Sequence, residues 1–191
     1  MGQRADEADG DGLSFDVVQK AMMIREARSE DISSLRDIES AAGRLFAQIG
    51  MTAVAEDEPL SEDSLRGYQS GGRAWVAVDD SDRPVAYLVV DNLDGNAHIE
   101  QVSVRPENMR QGLGRVLIEH LADWATEQGM PAMTLTTFAD VPWNGPYYER
   151  LGFEPLSDAE LTPGLRDRRD HERARGLDKW PRICMRRALL G

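Results

Sequence analysis

Cysteine occurs once in the sequence, at position 184. A lone thiol excludes an intramolecular disulfide and a cysteine-rich metal site, and no base stands beside it in sequence to make it a nucleophile. The three histidines lack ligand spacing of the HExxH kind, so no metal is expected. No apolar run approaches the roughly 20 residues that a membrane-spanning helix needs. The opening MGQRADEADG lacks the apolar stretch of a secretory signal. The expected location is therefore cytoplasmic, with no membrane partner. Positive charge is also scarce: 22 Lys and Arg against 34 Asp and Glu leave a net charge of −12. Affinity for nucleic acid comes largely from Lys and Arg at phosphates, so no nucleic-acid partner is expected. Arg166, Arg168, Arg169, Arg173 and Arg175 do cluster, but Asp167, Asp170 and Glu172 are interleaved with them. That alternation reads as a solvated helix face laced with ion pairs.

The chain of 191 residues, 41% hydrophobic and 29% charged, suits one soluble globular domain. Residues 1–20 are rich in Asp, Glu and Gly and read as a flexible acidic tail, leaving 21–191 as the domain. Met22 to Ala27 reads as a first strand. Ile32, Leu35 and Ile38 start a helical period, and a second helix over 61–68 has Ser61 as its cap and Gly71-Gly72 at its end. Ala74–Val78 and Pro84–Val90 form a hairpin pattern, Asn92–Asn96 a turn, and His98–Val104 a third strand. The pattern then changes to a long amphipathic helix carrying Leu113, Val116, Leu117, Leu121 and Trp124, closed by Gly129. A strand over 132–138, parallel to the one before that helix, a short helix over 145–151 and strands at 153–155 and 183–185 complete the chain. The fold class is α+β: a mixed, largely antiparallel sheet flanked by helices, with one β-α-β-α-β half.

The sharpest local feature joins strand 98–104 to the segment Met109-Arg110-Gln111-Gly112-Leu113-Gly114-Arg115, which opens the long helix. Glycines at a helix mouth admit close backbone approach. The first amides of the helix lack intrahelical partners and, with the macrodipole, favour an anion by roughly 0.3–1 kcal/mol per charge. Arg110 and Arg115 add formal charge, so a pyrophosphate is the natural guest.

This segment resembles the acetyl-CoA-binding motif of the GNAT superfamily of N-acetyltransferases, [Gln/Arg]-x-x-Gly-x-[Gly/Ala], with Met109 at its first position. Downstream, Trp143-Asn144-Gly145-Pro146-Tyr147-Tyr148-Glu149-Arg150-Leu151-Gly152-Phe153 is similar to the later motif of that family. Many members carry Asn seven residues before the Tyr; here Val141 stands there and Asn144 lies four before Tyr148. The resemblance implies acetyl-CoA as co-substrate and an amine acceptor, small molecule or peptide, and leaves a homodimer open. It implies that the strand before the glycine loop is bulged and splays from the next, making a notch for the thioester. The backbone of Val102, Ser103 and Val104 would pair with the pantetheine arm. Residues 109–115 (Met109, Arg110, Gln111, Gly112, Leu113, Gly114, Arg115) would hold the pyrophosphate, and Asn144 and Tyr148 would also touch the cofactor. Tyr148 would donate a proton to the leaving thiolate.

Glu100, two residues before Val102, is the candidate general base, acting directly or through water. Simple alternation puts it on one face with Val102 and Val104, which would bury the carboxyl and raise its proton affinity. His98 shares that face as the alternative base, whereas His120 reads as a core histidine. Glu56, Asp57 and Glu58 form either a solvated loop or an attraction for a cationic acceptor. The expected reaction is direct attack of a primary amine on acetyl-CoA through a tetrahedral intermediate. The alternative is an inactive acyl-CoA-binding or sensor module on the same fold.

Overall fold

The structure, a computed structural model, describes residues 23–189; the acidic tail expected over 1–20 lies outside them. β1 (Met23–Glu26) leads into α1 (Ile32–Gly43), α2 (Thr52–Ala55) and α3 (Glu62–Ser70) before returning to β2 (Ala74–Val78), its antiparallel neighbour. Ile32, Leu35 and Ile38 are buried along one stripe of α1, as their period requires. Ser61 caps α3, its hydroxyl accepting from the Ser64 amide at 3.1 Å. α2 and the 3-10 segment ahead of it (Arg44–Ile49) carry no strong period and were not legible beforehand.

β2 and β3 (Pro84–Leu93) are nearly continuous apolar runs because helices cover both faces of the sheet. Trp75, Ala77, Leu88 and Val90 pack toward α4 (Leu113–Glu127). Val76, Val78, Tyr87 and Val89 pack toward α1 and α3. β4 (Asn96–Val104) follows β3 through a turn tighter than the expected Asn92–Asn96. Asp94 and Gly95 both take left-handed φ values, 52° and 79°, and a turn of two such residues lets Leu93 and Asn96 pair.

The sheet order is β1-β2-β3-β4-β5-β7-β6, with β5 (Ala132–Phe138), β6 (Glu154–Pro155) and β7 (Arg182–Ala188). β4 and β5 run parallel, as the crossover through α4 demands, and the other paired strands are antiparallel. α5 (Gly145–Arg150) precedes β6. β7 is longer than the stretch 183–185 read from sequence and lies between β5 and β6. Residues 156–181 make the connecting arm and contain α6 (Pro163–Ala174). Among the described residues no helix is long and apolar enough to cross a membrane.

His120 is not a core residue. It is half-buried, its ring edge-on to Trp75 with centroids 5.7 Å apart, because it falls on the flank of the α4 stripe.

Candidate functional site

The glycine loop forms as its residues require. Gly112 caps α4 at φ 78°, and the first backbone bond of the helix runs from the Val116 amide to the Gly112 carbonyl at 3.0 Å. The amides of residues 113–115 precede that bond and have no carbonyl four residues back within the helix. Arg110 also takes a left-handed φ, 63°, which costs a non-glycine residue of order 1–3 kcal/mol and is held by the fold. Arg110, Gln111, Gly112 and Arg115 are exposed and Met109 is half-buried. Leu113 turns inward to the core. Gly114 has a reason of its own: a Cβ there would come within 2.9 Å of the Tyr147 hydroxyl.

The parallel ladder between β4 and β5 consists of Ala97↔Met133 and His98↔Thr134 and then stops. Beyond it the two strands part. Val102, Ser103 and Val104 remain paired on one side with Leu88, Tyr87 and Ala86 of β3, so their other backbone edge faces the gap. The register of β3 on β4 jumps between Val89↔Gln101 and Val90↔Ile99, which makes Glu100 the extra residue of a bulge.

That bulge corrects the alternation read from sequence. Ile99, Val102 and Val104 face α4, whereas Glu100 joins Gln101 and Ser103 on the opposite face. An inserted residue breaks the period of two, and pattern alone does not show where it falls. Glu100 is still largely buried, but among polar groups rather than valines. Its carboxyl is raised above the usual range by burial, with Arg168 pulling the other way and Asp91, Glu172 and Glu39 adding to the rise.

Tyr148 lies on α5 with its side chain against Phe153 and Tyr147, ring centroids 5.7 and 5.5 Å away. Burial, then Tyr147, pushes its phenol well above the ordinary value. Tyr147 is half-buried and spans from Gly114 to the Arg150 guanidinium, 5.9 Å from its ring. The turn into α5 is tight: a Cβ on Gly145 would collide with the Ala139 carbonyl oxygen. Beside it the Asn144 Oδ1 is buried without a hydrogen-bond partner among the described residues. A buried acceptor left open is costly unless a donor arrives. Val141, where the family pattern often has Asn, packs instead with Met51 and Phe138.

Coenzyme A fits these residues on three grounds of this structure. The amides at the mouth of α4 suit a pyrophosphate, the β4 edge is open for strand-like pairing with an amide-bearing arm, and Asn144 holds an unanswered acceptor.

The opposite side of the gap belongs to α1, α3 and α6. Arg168 pairs with both Asp91 and Glu100, the latter at 2.9 Å. Tyr68 donates to Asp91 at 3.0 Å, as does Arg73. The Tyr87 hydroxyl donates to Glu39 at 2.6 Å, and burial raises that carboxyl. Farther along α6, Glu172 accepts from Thr136, Arg169 and Arg182. Burial works upward on Glu172, but Arg182 first and then its other donors outweigh it, leaving the carboxyl below its usual range. The basic cluster of the sequence is thus not a wholly solvated face, since Arg168 reaches Asp91 and Glu100 on the sheet and Arg169 is covered, paired with Glu172 and Asp178. Among the acidic loop residues, Asp57 pairs with Arg175 and Glu58 with Arg36.

His98 is buried, with Nδ1 2.9 Å from the Thr134 hydroxyl. Burial and then Arg168 push it down to about 4. Cys184 is buried as well, its thiol pushed up to about 11 chiefly by burial. Sequence reasoning missed Asp91, Arg168, Glu39 and Tyr68. The signal for Asp91 was an acid ending an apolar strand; for Arg168 no local signal existed.

The model of the acetyltransferase (GNAT) family matches residues 33–153. A peptidyl-lysine N-acetyltransferase of Escherichia coli (strain K12) is 26% identical over 107 residues, covering 56% of this chain and 67% of that protein. A ribosomal protein bS18-alanine N-acetyltransferase of Salmonella typhimurium is 30% identical over 95 residues, 50% of this chain and 64% of its own length. These matches span about two thirds of the relatives' length. Among solved structures, the PaiA N-acetyltransferase of Thermoplasma acidophilum, in complex with coenzyme A, superposes with a TM-score of 0.65 at 14% identity, over 88% of this chain and 99% of that one.

Proposed function

Since the chain belongs to the GNAT acetyltransferase family, we propose that it moves the acetyl group of acetyl-CoA to a primary amine by direct attack. The observation that carries this reading is the ladder that ends at His98↔Thr134. It leaves the β4 edge open from the bulge to the mouth of α4.

In this reading the cofactor supplies the activated acetyl thioester, and the chain's residues do the rest. Residues 109–115 hold the pyrophosphate through backbone amides and the charges of Arg110 and Arg115. Val102, Ser103 and Val104 align the pantetheine arm along β4. Asn144 accepts a hydrogen bond from the cofactor. A free β4 amide in the notch polarises the thioester carbonyl as the tetrahedral centre forms.

The acceptor enters from the face of Glu100, which takes the proton the ammonium must lose. Its raised proton affinity suits that task better than that of an ordinary surface carboxylate. Tyr148 is protonated at neutral pH, its ionisation being unfavourable in apolar surroundings, and in this reading its proton passes to the departing thiolate as negative charge builds on the sulfur. The relatives act on lysine side chains of peptides and on the alanine of a ribosomal protein. A peptide amine is accordingly the first acceptor to try here, with small-molecule amines beside it.

Thiol release from acetyl-CoA across a panel of peptide and small-molecule amines tests the reading. Release with at least one acceptor, lost in Glu100→Gln, is the expected result. Cofactor binding without release on any amine would favour the alternative of a sensor module.

A further inference from the structure

Glu100 sits in a bulge, where the pleat no longer dictates the direction of a side chain. A base that must meet an amine in one geometry needs a restraint from elsewhere, and α6 supplies it. Both oxygens of Asp91 are engaged: Tyr68 and Arg168 donate to Oδ2 and Arg73 to Oδ1. Its guanidinium partner Arg168 is fixed at Nη2 by that carboxylate and presents Nη1 to Glu100 Oε2 at 2.9 Å.

Resting on the reading of Glu100 as base, we propose that Arg168 is a positioning residue, anchored by Asp91, that holds the Glu100 carboxylate ionised and aimed with Oε1 free for the acceptor amine. A planar fork can span two carboxylates at once, which a single ammonium does less well. Two cations, Arg73 and Arg168, balance the two anions Asp91 and Glu100, and all four side chains are at most about one third exposed, so solvent screens the pair only in part.

The groups facing Glu100 are known from each element packed on it. Asp91 and Tyr87 lie on β3, Glu39 on α1 and Tyr68 on α3. Arg73 stands ahead of β2, His98 lies on the same strand, and Arg168 and Glu172 come from α6. Of these, Arg168 is the cation in direct contact with the carboxylate.

The test combines kinetics with a direct titration. kcat/KM against pH and the ¹³C carboxyl titration of Glu100 are measured in the unaltered protein, in Arg168→Gln and in Arg168→Lys, with Glu100→Gln assigning the resonance. In Arg168→Gln the acid limb and the Glu100 titration should rise together by about one unit or more, the size expected when an adjacent Arg is lost. Arg168→Lys should recover most of that shift. Arg168→Met, which keeps the apolar stem, carries the same measurement if the Gln variant is unstable. A fall in kcat with limb and titration unmoved would reduce Arg168 to a strut of α6 and overturn the proposal. A shifted titration beside a limb that Glu100→Gln leaves untouched would instead remove Glu100 as base, and the function of its positioning with it.

Discussion

At Tyr148, burial and proton affinity act in the same direction. A phenol closed in by Phe153 and Tyr147 holds its proton across the physiological range. Tyr148→Phe should therefore lower kcat by about 10²-fold, within the range for one proton-transfer group, while acetyl-CoA affinity measured by calorimetry stays unchanged. Equal kcat in the two proteins would remove the role. For Glu100 the sign follows from burial: a raised carboxyl must lose its proton before it can accept one. The acid limb of kcat/KM should thus lie above the ordinary Glu value of about 4.3. His98, pushed down to about 4, is neutral at the pH of such assays and contributes no inflection near neutrality. Asp31 is buried, pairs with Arg25 at 2.7 Å and accepts from the Arg28 amide. Asp31→Ala should cost about 2 kcal/mol in urea unfolding, since it removes charged hydrogen bonds to Arg25 and to the Arg28 amide, while Asp82 at 2.8 Å keeps hold of Arg25. Glu100 and Tyr148 could be nominated from sequence, the first by its place two residues before Val102 on the strand that leads to the glycine loop, the second by the Gly-Phe pair that follows it. Arg168 was not, because in a run of alternating charge nothing local tells an inward arginine from an outward one.

Elements differ in what holds them. α4 buries Leu113, Leu117, Ile118, Leu121, Ala122 and Ala125, whereas α6 buries Leu165 alone and is tied to the sheet by Arg168 and Glu172. Its amino end is pinned where the Gly164 amide donates to Asp94 at 2.9 Å. Ionic attachment weakens with salt, and apolar packing does not. Because these pairs are screened only in part, hydrogen exchange should speed up modestly over 163–174 in 1 M NaCl while α4 stays protected, and more strongly in Glu172→Gln; equal protection in both would mean that α6 is held by something other than its charges. At α5 the constraint is steric. Gly145→Ala forces a Cβ against the Ala139 backbone, and the helix must shift, carrying Asn144 and Tyr148 with it. Weaker acetyl-CoA binding and a lower Tm are expected together. The strong periods of α1, α4, β2, β3 and β5 could be read directly. The bulge in β4 could not be placed from its own residues, since register is decided by the partner strand.

Over the whole molecule, ligand linkage gives the simplest check. A cofactor that binds only the folded chain adds about 2.7 kcal/mol at a hundredfold excess over Kd. For a domain of this size that amounts to a rise in Tm of about 5–10 °C with acetyl-CoA; an unmoved Tm at millimolar cofactor would count against the site. The mixed sheet and its β-α-β crossover followed from the order of elements, but the place of β7 did not, because a strand's neighbours are chosen by distant residues. That place matters for assembly. β7 follows β6 in the chain yet lies between it and β5. A polypeptide that stops short of residue 182 therefore leaves the β5 ladder, paired along Ala132–Phe138 in the finished sheet, as a bare template, and strands β6 with nothing to join. Such truncated or partly made chains should be the sticky species of this protein, recruited to one another through β5 until the returning segment occupies the slot.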